Sequence, residues 1–325
     1  MAKYLDACLI EATAYSGCAF DTVYIGGGTP SSMGGDLLGD FIRKLLGRVN
    51  YKGKEFTVEV NPESISEELC VALEPVSRVS MGIQSFSDKV LRFLGRAHNR
   101  EKAIAAVELL QKELPQKDLS LDLIYDIPSI TWAEIKDSAE RLVSFKPSHV
   151  SAYSYTDETG WLAENNDDPF QTEELVTLFE QAGYLRYEVS NYARPGKESI
   201  HNSAYWMGMP YIGIGAGAHS MDETVGRRRW SHNGDLKHYL SDPLGKDDLQ
   251  ALTTGEALLE DIIFGLRLRE GINLLDIQKK YSNIPDTLLL EIEKLKDDGL
   301  LEGETELRAT KRGFLLLDTI MARLW

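Results

Sequence analysis

The stretch Thr22-Val-Tyr-Ile-Gly-Gly-Gly-Thr29-Pro30 decides the fold class of this chain. A short β-branched and aromatic run leads into three consecutive glycines, and a Thr-Pro pair then begins a new segment. Glycines at the end of a strand leave backbone amides and carbonyls bare, so a ligand can approach them closely. The stretch therefore predicts a strand whose carboxyl end faces a binding site.

Three further strand-like runs also end in polar residues. They are Glu59-Val60-Asn61-Pro62, Gly82-Ile83-Gln84-Ser85 and Asp122-Leu123-Ile124-Tyr125. A parallel barrel builds its site from groups at the carboxyl ends of several strands. The four runs together predict one barrel mouth lined by polar side chains.

Hydrophobic periodicity alternates between strand and helix over the first part of the chain. It predicts strands at 22–25, 56–60, 78–83, 119–124, 147–153 and 184–189, and helices at 3–17, 36–47, 65–74, 87–94, 100–113, 131–144 and 171–182. This alternation implies right-handed β-α-β units and one curled parallel sheet. Because the chain begins on a helix, we expect an α/β fold with a partial (β/α) barrel that lacks its first strand.

The composition changes twice along the chain and predicts three domains. Residues 1–190 carry the alternation, whereas residues 191–252 are rich in Gly, Asn, His and aromatic residues and predict a loop-rich cover over the barrel mouth. Residues 253–325 predict helices at 256–268, 273–281 and 287–298, a two-stranded ribbon within 299–308, and a last helix at 311–324. This order is typical of a winged-helix-like module. Acidic residues in its third helix favour packing or partner binding over DNA binding.

Composition and charge exclude several classes of protein. The 325 residues are 43% hydrophobic and carry a formal net charge of −16, which opposes nucleic acid binding. No apolar run approaches the roughly 20 residues of a membrane span, although peripheral membrane contact stays open. The three cysteines, Cys8, Cys18 and Cys70, have no repeated spacing, which argues against a disulfide scaffold and favours a reducing cytoplasm.

The run Arg227-Arg228-Arg229 departs from this acidic composition. Three adjacent guanidinium groups could meet a ligand rich in carboxylates. A solvated loop is the alternative, which we favour for a charge run of this kind.

The ordered motifs, taken together, resemble a known family. With Leu94-Gly-Arg-Ala-His98 added, the four strand-end runs are similar to those of radical S-adenosylmethionine (SAM) proteins related to oxygen-independent coproporphyrinogen III oxidase. Three later motifs resemble the heme chaperone branch of that family, HemW: Tyr187-Glu-Val-Ser-Asn-Tyr192, His201-Asn-Ser-Ala-Tyr-Trp206 and Gly213-Ile-Gly-Ala-Gly-Ala-His-Ser220. The resemblance runs over the whole chain, and the order and spacing of its motifs make it specific.

The resemblance implies a SAM site at the barrel mouth. The residues implied are Gly27, Gly28, Thr29, Glu59, Gln84, Arg96 and Asp122. The glycines and Thr29 would line the methionine end of SAM, and Glu59 and Gln84 would meet its ribose or amino group. Arg96 offers a planar fork to the carboxylate, and Asp122 would join the polar ring. Taken singly, the two acidic residues also fit loop caps at the barrel rim, and Arg96 fits an ordinary surface helix.

The resemblance also implies a heme-binding motif. Its candidate residues are His201, Asn202, Tyr205 and Trp206. Imidazole is a common axial ligand of heme iron, and aromatic side chains can stack on a porphyrin. The alternative is a hydrogen-bonded histidine in a polar loop beside two core aromatics. His98 and His219 are similar candidates with less support, and His219 also fits the SAM site.

The cysteines depart from the family pattern. The family holds a 4Fe-4S cluster through Cys-x3-Cys-x2-Cys after the first barrel strand, whereas Cys8 and Cys18 here lie ten apart and Cys70 is distant. The absent motif coincides with the absent first strand, so we expect that an N-terminal segment is missing and that only the complete protein binds the cluster. We expect Cys8 to be a small buried hydrophobe of the first helix. As written, the chain should not generate a 5′-deoxyadenosyl radical.

A second departure lies at Asp126-Ile-Pro-Ser129. The family usually has glycine at both ends of this stretch. The added side chains are expected to narrow the barrel mouth or to alter its loop.

Two functional classes follow from the resemblance. In the first, which we prefer, the complete protein is a cytoplasmic heme chaperone that passes heme to acceptor proteins, with cluster and SAM serving regulation or membrane handover. In the second, it is an oxygen-independent coproporphyrinogen III oxidase that decarboxylates propionates to vinyl groups. That substrate requires a basic pocket, for which residues 227–229 are the only obvious source. A third, weaker interpretation is an interaction protein without a cluster that uses only its C-terminal module.

Overall fold

The computed structural model describes residues 1–156 and 170–325. These form two compact units. The barrel unit comprises Phe20–Leu46 and Tyr51–Ser199, and the terminal unit comprises Met1–Ala19, Gly47–Asn50 and Ile200–Trp325. The division into three domains stays a prediction. Within the described ranges, no helix combines the length and the apolar character that crossing a membrane requires.

The barrel unit is built on a seven-stranded sheet with the order β1-β2-β3-β4-β5-β7-β6. Its strands are β1 (Ala19–Ile25), β2 (Asn50–Val60), β3 (Arg78–Gln84), β4 (Asp118–Tyr125), β5 (His149–Ser154), β6 (Leu185–Arg186) and β7 (Asn191–Ala193). The pairs β2–β3, β3–β4 and β4–β5 are parallel, whereas β7 is antiparallel to both β5 and β6. This mostly parallel sheet confirms the predicted α/β fold with a partial barrel.

Helices follow the strands, as the alternation predicts. They are α2 (Gly35–Leu46), α3 (Glu67–Ala72), α4 (Asp88–Phe93), α5 (Arg100–Glu113), α6 (Trp132–Ser144) and α7 (Phe170–Gln181). Ser66 caps α3, since its hydroxyl accepts the Leu69 amide at 3.2 Å. The apolar faces of the helices pack on fully buried strand residues such as Phe56, Met81 and Leu121. Burial on both faces explains why these strands have near-continuous apolar sequences.

The predicted strand at 184–189 is present, but it is shorter than expected. Only Leu185–Arg186 pairs with the sheet, and it does so antiparallel to β7. The Arg186 guanidinium donates to the carbonyl of Val189, which closes the chain into a turn. Tyr184 and Tyr187 are buried on either side of this short strand. Their burial produces the apolar pattern that sequence analysis interpreted as a longer strand.

A buried ion pair lies at the amino-terminal end of the sheet. Arg78 of β3 donates to Glu55 of β2 at 3.1 Å, and both side chains are at most 5% exposed. Ser199 donates to the same carboxylate at 2.9 Å. Nearby, His149 meets the Tyr187 hydroxyl at 2.9 Å. Burial, together with the Arg78 charge, holds the pKa of His149 well below its usual value, so this imidazole is neutral.

The terminal unit contains two small sheets and the remaining helices. Its helices are α1 (Ala2–Ala14), α8 (Ile200–Trp206), α9 (Leu236–Ser241), α10 (Thr254–Gly265), α11 (Leu274–Tyr281), α12 (Asp286–Asp297), α13 (Lys311–Leu315) and α14 (Leu317–Leu324). Its strands are β8 (His219–Asp222), β9 (Arg228–Ser231), β10 (Asp247–Ala251), β11 (Ile272–Asn273), β12 (Leu301–Glu302) and β13 (Glu306–Ala309). The predicted ribbon within 299–308 is confirmed as β12 and β13, which pair antiparallel.

The region predicted to be loop-rich, 191–252, contains more regular structure than expected. Strands β8, β9 and β10 form an antiparallel sheet within it. These strands have only four or five residues each, and β10 is almost wholly exposed. Strands that short show too little alternation of apolar and polar residues to be predicted from sequence.

Helix α1 is anchored in the terminal unit by a buried carboxylate. Glu11 is 1% exposed; it pairs with His232 and accepts the Tyr239 hydroxyl at 2.7 Å. Cys8, one turn earlier, is also buried, which confirms its predicted role as a small hydrophobe. The amide of Gly215 donates to Glu11 at 3.0 Å, so the glycine-rich motif after β7 also contacts this helix.

Candidate functional site

Polar side chains meet at the carboxyl ends of β1 and β2. The Tyr24 hydroxyl donates to Glu59 at 2.5 Å. Asn61, two residues beyond Glu59, donates to the Thr29 hydroxyl at 2.9 Å and accepts from Arg96 at 2.8 Å. Asn61 therefore links the loop after β1 to the segment after α4.

Gln84 and Arg96 lie together over the end of β3. A Cβ added at Gly82 would lie 2.8 Å from the Gln84 amide nitrogen and 3.3 Å from an Arg96 nitrogen. Glycine at position 82 is thus what lets both polar side chains approach the strand. Gln84 adopts a φ of 64°, a left-handed conformation that costs energy for a residue with a side chain.

Asp122 of β4 is a half-buried carboxylate beside this group. Its oxygens accept from Ser80 of β3 at 3.3 and 3.4 Å. Burial raises the pKa of Asp122 from 3.8 to about 7, and the negative charge of Glu59 acts in the same direction. Hydrogen bonds from Ser151 and Ser80 and the charge of Arg96 oppose this rise. Asp122 therefore titrates near neutral pH, next to two other predicted site residues.

The three glycines after β1 have different roles. A Cβ at Gly26 would lie 2.4 Å from the Tyr24 ring and 2.6 Å from the Glu59 carboxyl carbon, so only glycine fits beside that hydrogen bond. A Cβ at Gly27 or Gly28 would meet nothing within 4 Å. Both residues are exposed, and Gly27 has a φ of 77°. The backbone of Gly27 and Gly28 therefore borders open space, as the opening motif predicts.

The structure brings the predicted barrel-mouth residues together. Asn61 joins Thr29 to Arg96, and Gln84 and Arg96 both lie beside Gly82. The charges of Glu59 and Arg96 act on Asp122, and Gly27 and Gly28 precede Thr29. Sequence analysis missed four members of the group, which are Tyr24, Asn61, Ser80 and Ser151. Asn61 carried a signal, since it stands at a strand end before a proline. The serines carried none, because their contacts depend on the pairing of strands.

The chemistry of this group fits SAM. SAM presents an ammonium, a carboxylate and a ribose, and the group supplies carboxylates, a guanidinium, amides and bare backbone. Binding of SAM to these residues stays a prediction.

The cysteines do not fit an iron–sulfur cluster, which needs several thiolates around one site. Cys8 and Cys70 are buried in helices and Cys18 is exposed; Cys70 belongs to the barrel unit and the other two to the terminal unit. Residues 1–156 and 170–325 contain no group of three His, Cys, Asp or Glu side chains arranged to hold a metal.

The two positions where the resemblance leads us to expect glycine keep a glycine-like backbone. Asp126 has a φ of 55° and Ser129 a φ of 63°. Asp126 is buried and accepts the Ser154 hydroxyl at 2.9 Å. Each residue bears a cost of roughly 1 kcal/mol for the left-handed conformation. The predicted narrowing of the barrel mouth stays a prediction.

Helix α8 carries the candidate heme motif on an accessible aromatic surface. His201 lies edge-on to Tyr205, with ring centroids 5.0 Å apart, and Tyr205 lies 4.7 Å from Tyr211. None of the seven residues of α8, all of which the structure describes, is buried. Tyr205 is 37% exposed, and Met207 and Met209 are 57% and 50% exposed. Desolvation raises the pKa of Tyr205 to about 12, so its hydroxyl keeps its proton at neutral pH.

Trp206, in contrast, points toward α10. The Arg267 guanidinium lies 4.3 Å from its ring centroid, and the Phe264 ring lies 6.2 Å away. Of the four predicted residues, His201 and Tyr205 thus share one aromatic cluster, whereas Trp206 packs elsewhere. Asn202 is half-buried on the same helix.

The end of α8 is held by a glycine turn. Gly208 has a φ of 64°. Its amide donates to the backbone carbonyl of Tyr205, and the Met209 amide donates to the carbonyl of Ala204, both at 3.0 Å. This pair of bonds is a Schellman motif, which favours glycine. A Cβ at Gly208 would lie only 2.6 Å from an Asp261 carboxylate oxygen. Glycine is therefore required both by the turn and by the close approach of α10.

The run of arginines is neither a solvated loop nor an open anion site. Arg227 has a side chain only 1% exposed and pairs with Glu223, Glu260 and Asp261. The next two arginines pair with Asp222 at 2.9 Å and with Glu260 at 2.7 Å. Both sequence interpretations fail for Arg227, because carboxylates from a helix and a turn outside β9 fold onto it.

The two minor histidine candidates also differ. His98 is buried and is hydrogen-bonded at both ring nitrogens, to the Ile83 carbonyl at 3.1 Å and to Glu63 at 3.3 Å. An imidazole held in this way is not available to iron. His219 is exposed on β8.

Comparison with known proteins agrees with these features. The family profile described as the radical SAM superfamily matches residues 5–142, and the profile of the HemN C-terminal domain matches residues 252–316. Heme chaperone HemW of Bacillus subtilis (strain 168) is 31% identical over 344 residues, covering 97% of this chain and 89% of the relative. Heme chaperone HemW of Mycobacterium tuberculosis (strain H37Rv) is 33% identical over 334 residues, covering 93% and 80%.

A solved structure with the same fold matches almost the whole chain. Coproporphyrinogen III oxidase (HemN) from Escherichia coli, described as a radical SAM enzyme, superposes with a TM-score of 0.83. The two sequences are 22% identical, and the match covers 99% of this chain and 82% of the other.

Proposed function

The chain belongs to the HemW family of heme chaperones within the radical SAM superfamily, and from this premise we propose that it binds heme at α8, binds SAM at the barrel mouth, and hands heme to an acceptor protein in the cytoplasm. The observation that carries the proposal is the aromatic surface of α8. A helix without buried residues, whose imidazole lies edge-on to one of two neighbouring phenol rings, suits a flat, apolar ligand with a central iron.

In this proposal the residues of α8 and of the segment that follows it have different roles. His201 supplies a nitrogen ligand for iron, and Tyr205 and Tyr211 offer ring surface to the porphyrin. Met207 and Met209 extend the apolar surface with flexible thioethers. Trp206 acts as an anchor, since its contacts with Arg267 and Phe264 hold the helix on α10. Bound heme supplies the iron centre that the chaperone would carry.

The SAM part of the proposal rests on the contacts at the barrel mouth. Within the described contacts, Arg96 uses a single nitrogen, Nη2, for Asn61 and the Gly82 carbonyl. The rest of its fork remains for the SAM carboxylate. Glu59 and Gln84 would accept from the amino group or ribose, and Gly27 and Gly28 would offer backbone. SAM in this proposal serves regulation or membrane handover of heme.

The oxidase alternative lacks a supporting observation. A coproporphyrinogen substrate carries four carboxylates and needs a basic pocket. The arginines expected to form that pocket already pair with carboxylates of the terminal unit. We therefore favour the chaperone.

A hemin titration tests the heme site. We expect hemin to shift the Soret band on binding, and His201→Ala and Tyr205→Ala each to weaken binding about tenfold, as for loss of one strong contact. His238→Ala is the matched control, because His238 is an exposed histidine on α9. Titrations of both α8 variants that match the wild-type protein would refute heme binding at this helix.

Calorimetry with SAM tests the second site separately. Arg96→Gln should weaken SAM binding about tenfold, since a charge-assisted fork is lost. Arg92→Gln, which removes an exposed arginine of α4, is the control. If Arg96→Gln binds SAM as tightly as the control does, the assignment of the carboxylate contact is wrong.

A further inference from the structure

A cavity lies at the amino-terminal end of the barrel sheet, opposite the barrel mouth. It has a volume of about 470 Å³ and is formed by residues before β4 and β5 and after β7. We propose that this cavity, here called the basal cavity, binds a phosphate-bearing anion. Its volume is in the range of small-molecule sites. All of its lining residues belong to the barrel unit, so the proposal does not rest on the heme or SAM assignments.

The basal cavity concentrates positive charge in an acidic protein. Among the residues that the structure describes, its lining holds the cations Lys117, Lys146, Arg194 and Lys197 and one carboxylate, that of Asp118. Lys197 neutralises Asp118 at a distance of 2.7 Å. Three positive charges are therefore left over in a chain whose formal net charge is −16.

The other cations are oriented by neutral groups. The Lys117 ammonium donates to the Glu74 carbonyl at 2.6 Å, and Arg194 donates to the Pro147 carbonyl at 3.2 Å. Arg194 also lies 5.0 Å from the centroid of the Tyr184 ring. Within residues 1–156 and 170–325, neither side chain forms an ion pair with a carboxylate. Their positions are set while their charge remains available to a ligand.

Lys146 provides an independent observation. It follows the end of α6, has a φ of 54°, and donates its amide to the Val143 carbonyl at 2.9 Å. This is the left-handed position after a helix where glycine is favoured. Its side chain is exposed, and the described parts of the chain offer its ammonium no hydrogen bond or ion pair. The sequence thus places an unpartnered lysine where the backbone favours glycine, which is understandable if the ammonium binds a ligand.

The chemistry of the cavity favours phosphate over a single carboxylate. Lysine ammonium groups are point charges that suit the several oxygens of a phosphate, and three net charges exceed what one carboxylate would balance. Apolar side chains such as Leu114 and Leu119 also line the cavity. The phosphate could belong to a soluble nucleotide or pyrophosphate, or to a lipid headgroup.

Calorimetry with the full chain tests the proposal, with pyrophosphate and ATP as probes. We expect the wild-type protein to bind at least one of them, and Lys146→Gln and Lys146→Gly to weaken that binding about tenfold. Lys136→Gln is the control, since it removes the same charge from the exposed face of α6. Lys146→Gly should also raise the melting temperature by about 2 °C, because it relieves the left-handed conformation. A folded and more stable variant that loses binding separates a ligand role from a structural one.

Flotation with vesicles tests the lipid source. Binding to phosphatidylglycerol vesicles but not to phosphatidylcholine vesicles, weakened in Lys146→Gln and retained in Lys136→Gln, would support the site with a lipid headgroup as its ligand. If neither the soluble probes nor the anionic vesicles bind, or if Lys146→Gln behaves as Lys136→Gln does in every assay, the proposal is overturned.

Discussion

Replacing Asp122 by asparagine should change how the stability of the protein depends on pH. Burial raises the pKa of Asp122 from 3.8 to about 7 in the folded state. Between these values the folded protein holds a proton that the unfolded chain has lost. The stabilising contribution of Asp122 is therefore fully present below its unfolded pKa and is lost as the pH rises through about 7. The asparagine side chain of the variant has nearly the same shape and does not titrate.

The magnitude follows from the two pKa values. One pKa unit corresponds to about 1.4 kcal/mol. The free energy of unfolding of the wild-type protein should therefore fall by up to about 2.6 kcal/mol between about pH 5 and about pH 8 from this group alone. Asp122 is only half-buried, and local relaxation reduces the cost of its charge. We therefore expect the free energy of unfolding of Asp122→Asn to rise by about 1–2 kcal/mol relative to that of the wild-type protein as the pH increases across this range.

Urea denaturation at about pH 5 and about pH 8 measures this difference directly. Asp137→Asn is the matched control, because Asp137 is a largely exposed carboxylate on α6. The reasoning would be refuted if the difference between Asp122→Asn and the wild-type protein were the same at both pH values. It would also be refuted if Asp137→Asn showed an equal dependence on pH.

Two further substitutions test the packing inside each unit separately. Glu55→Gln should destabilise the barrel unit by about 3–5 kcal/mol in urea denaturation, because it leaves the buried Arg78 without its counterion. The control Asp21→Asn removes an exposed partner of Lys54 and should have little effect. Equal losses of stability in the two variants would contradict the role of burial. Gly208→Ala should lower the free energy of unfolding by about 1–3 kcal/mol more than Gly226→Ala does. Both glycines have a positive φ, but only Gly208 lies against Asp261. Equal melting temperatures of the two variants would show that Asp261 moves away from the added methyl group without loss of stability.

Much of the barrel unit could be predicted from local sequence. Helix α5 begins and ends at the predicted residues, and the parallel strands β3 and β4 lie within a residue or two of prediction. Burial on both faces gives such strands strongly apolar sequences, and the helices between them have clear apolar stripes. The short strands β8 to β10 could not be predicted, because four or five residues define neither period.

The candidate site shows the same division. Sequence alone determined that Glu59, Gln84 and Asp122 lie at one edge of the sheet, because the carboxyl ends of parallel strands must meet there. Only the tertiary structure decided that Asn61 links Thr29 to Arg96. It also decided that Arg227 forms ion pairs with Glu223, Glu260 and Asp261. The physical reason is that local pattern sets the direction in which a side chain leaves its own strand or helix. The partner it meets is set by segments distant in sequence, whose approach no local pattern records.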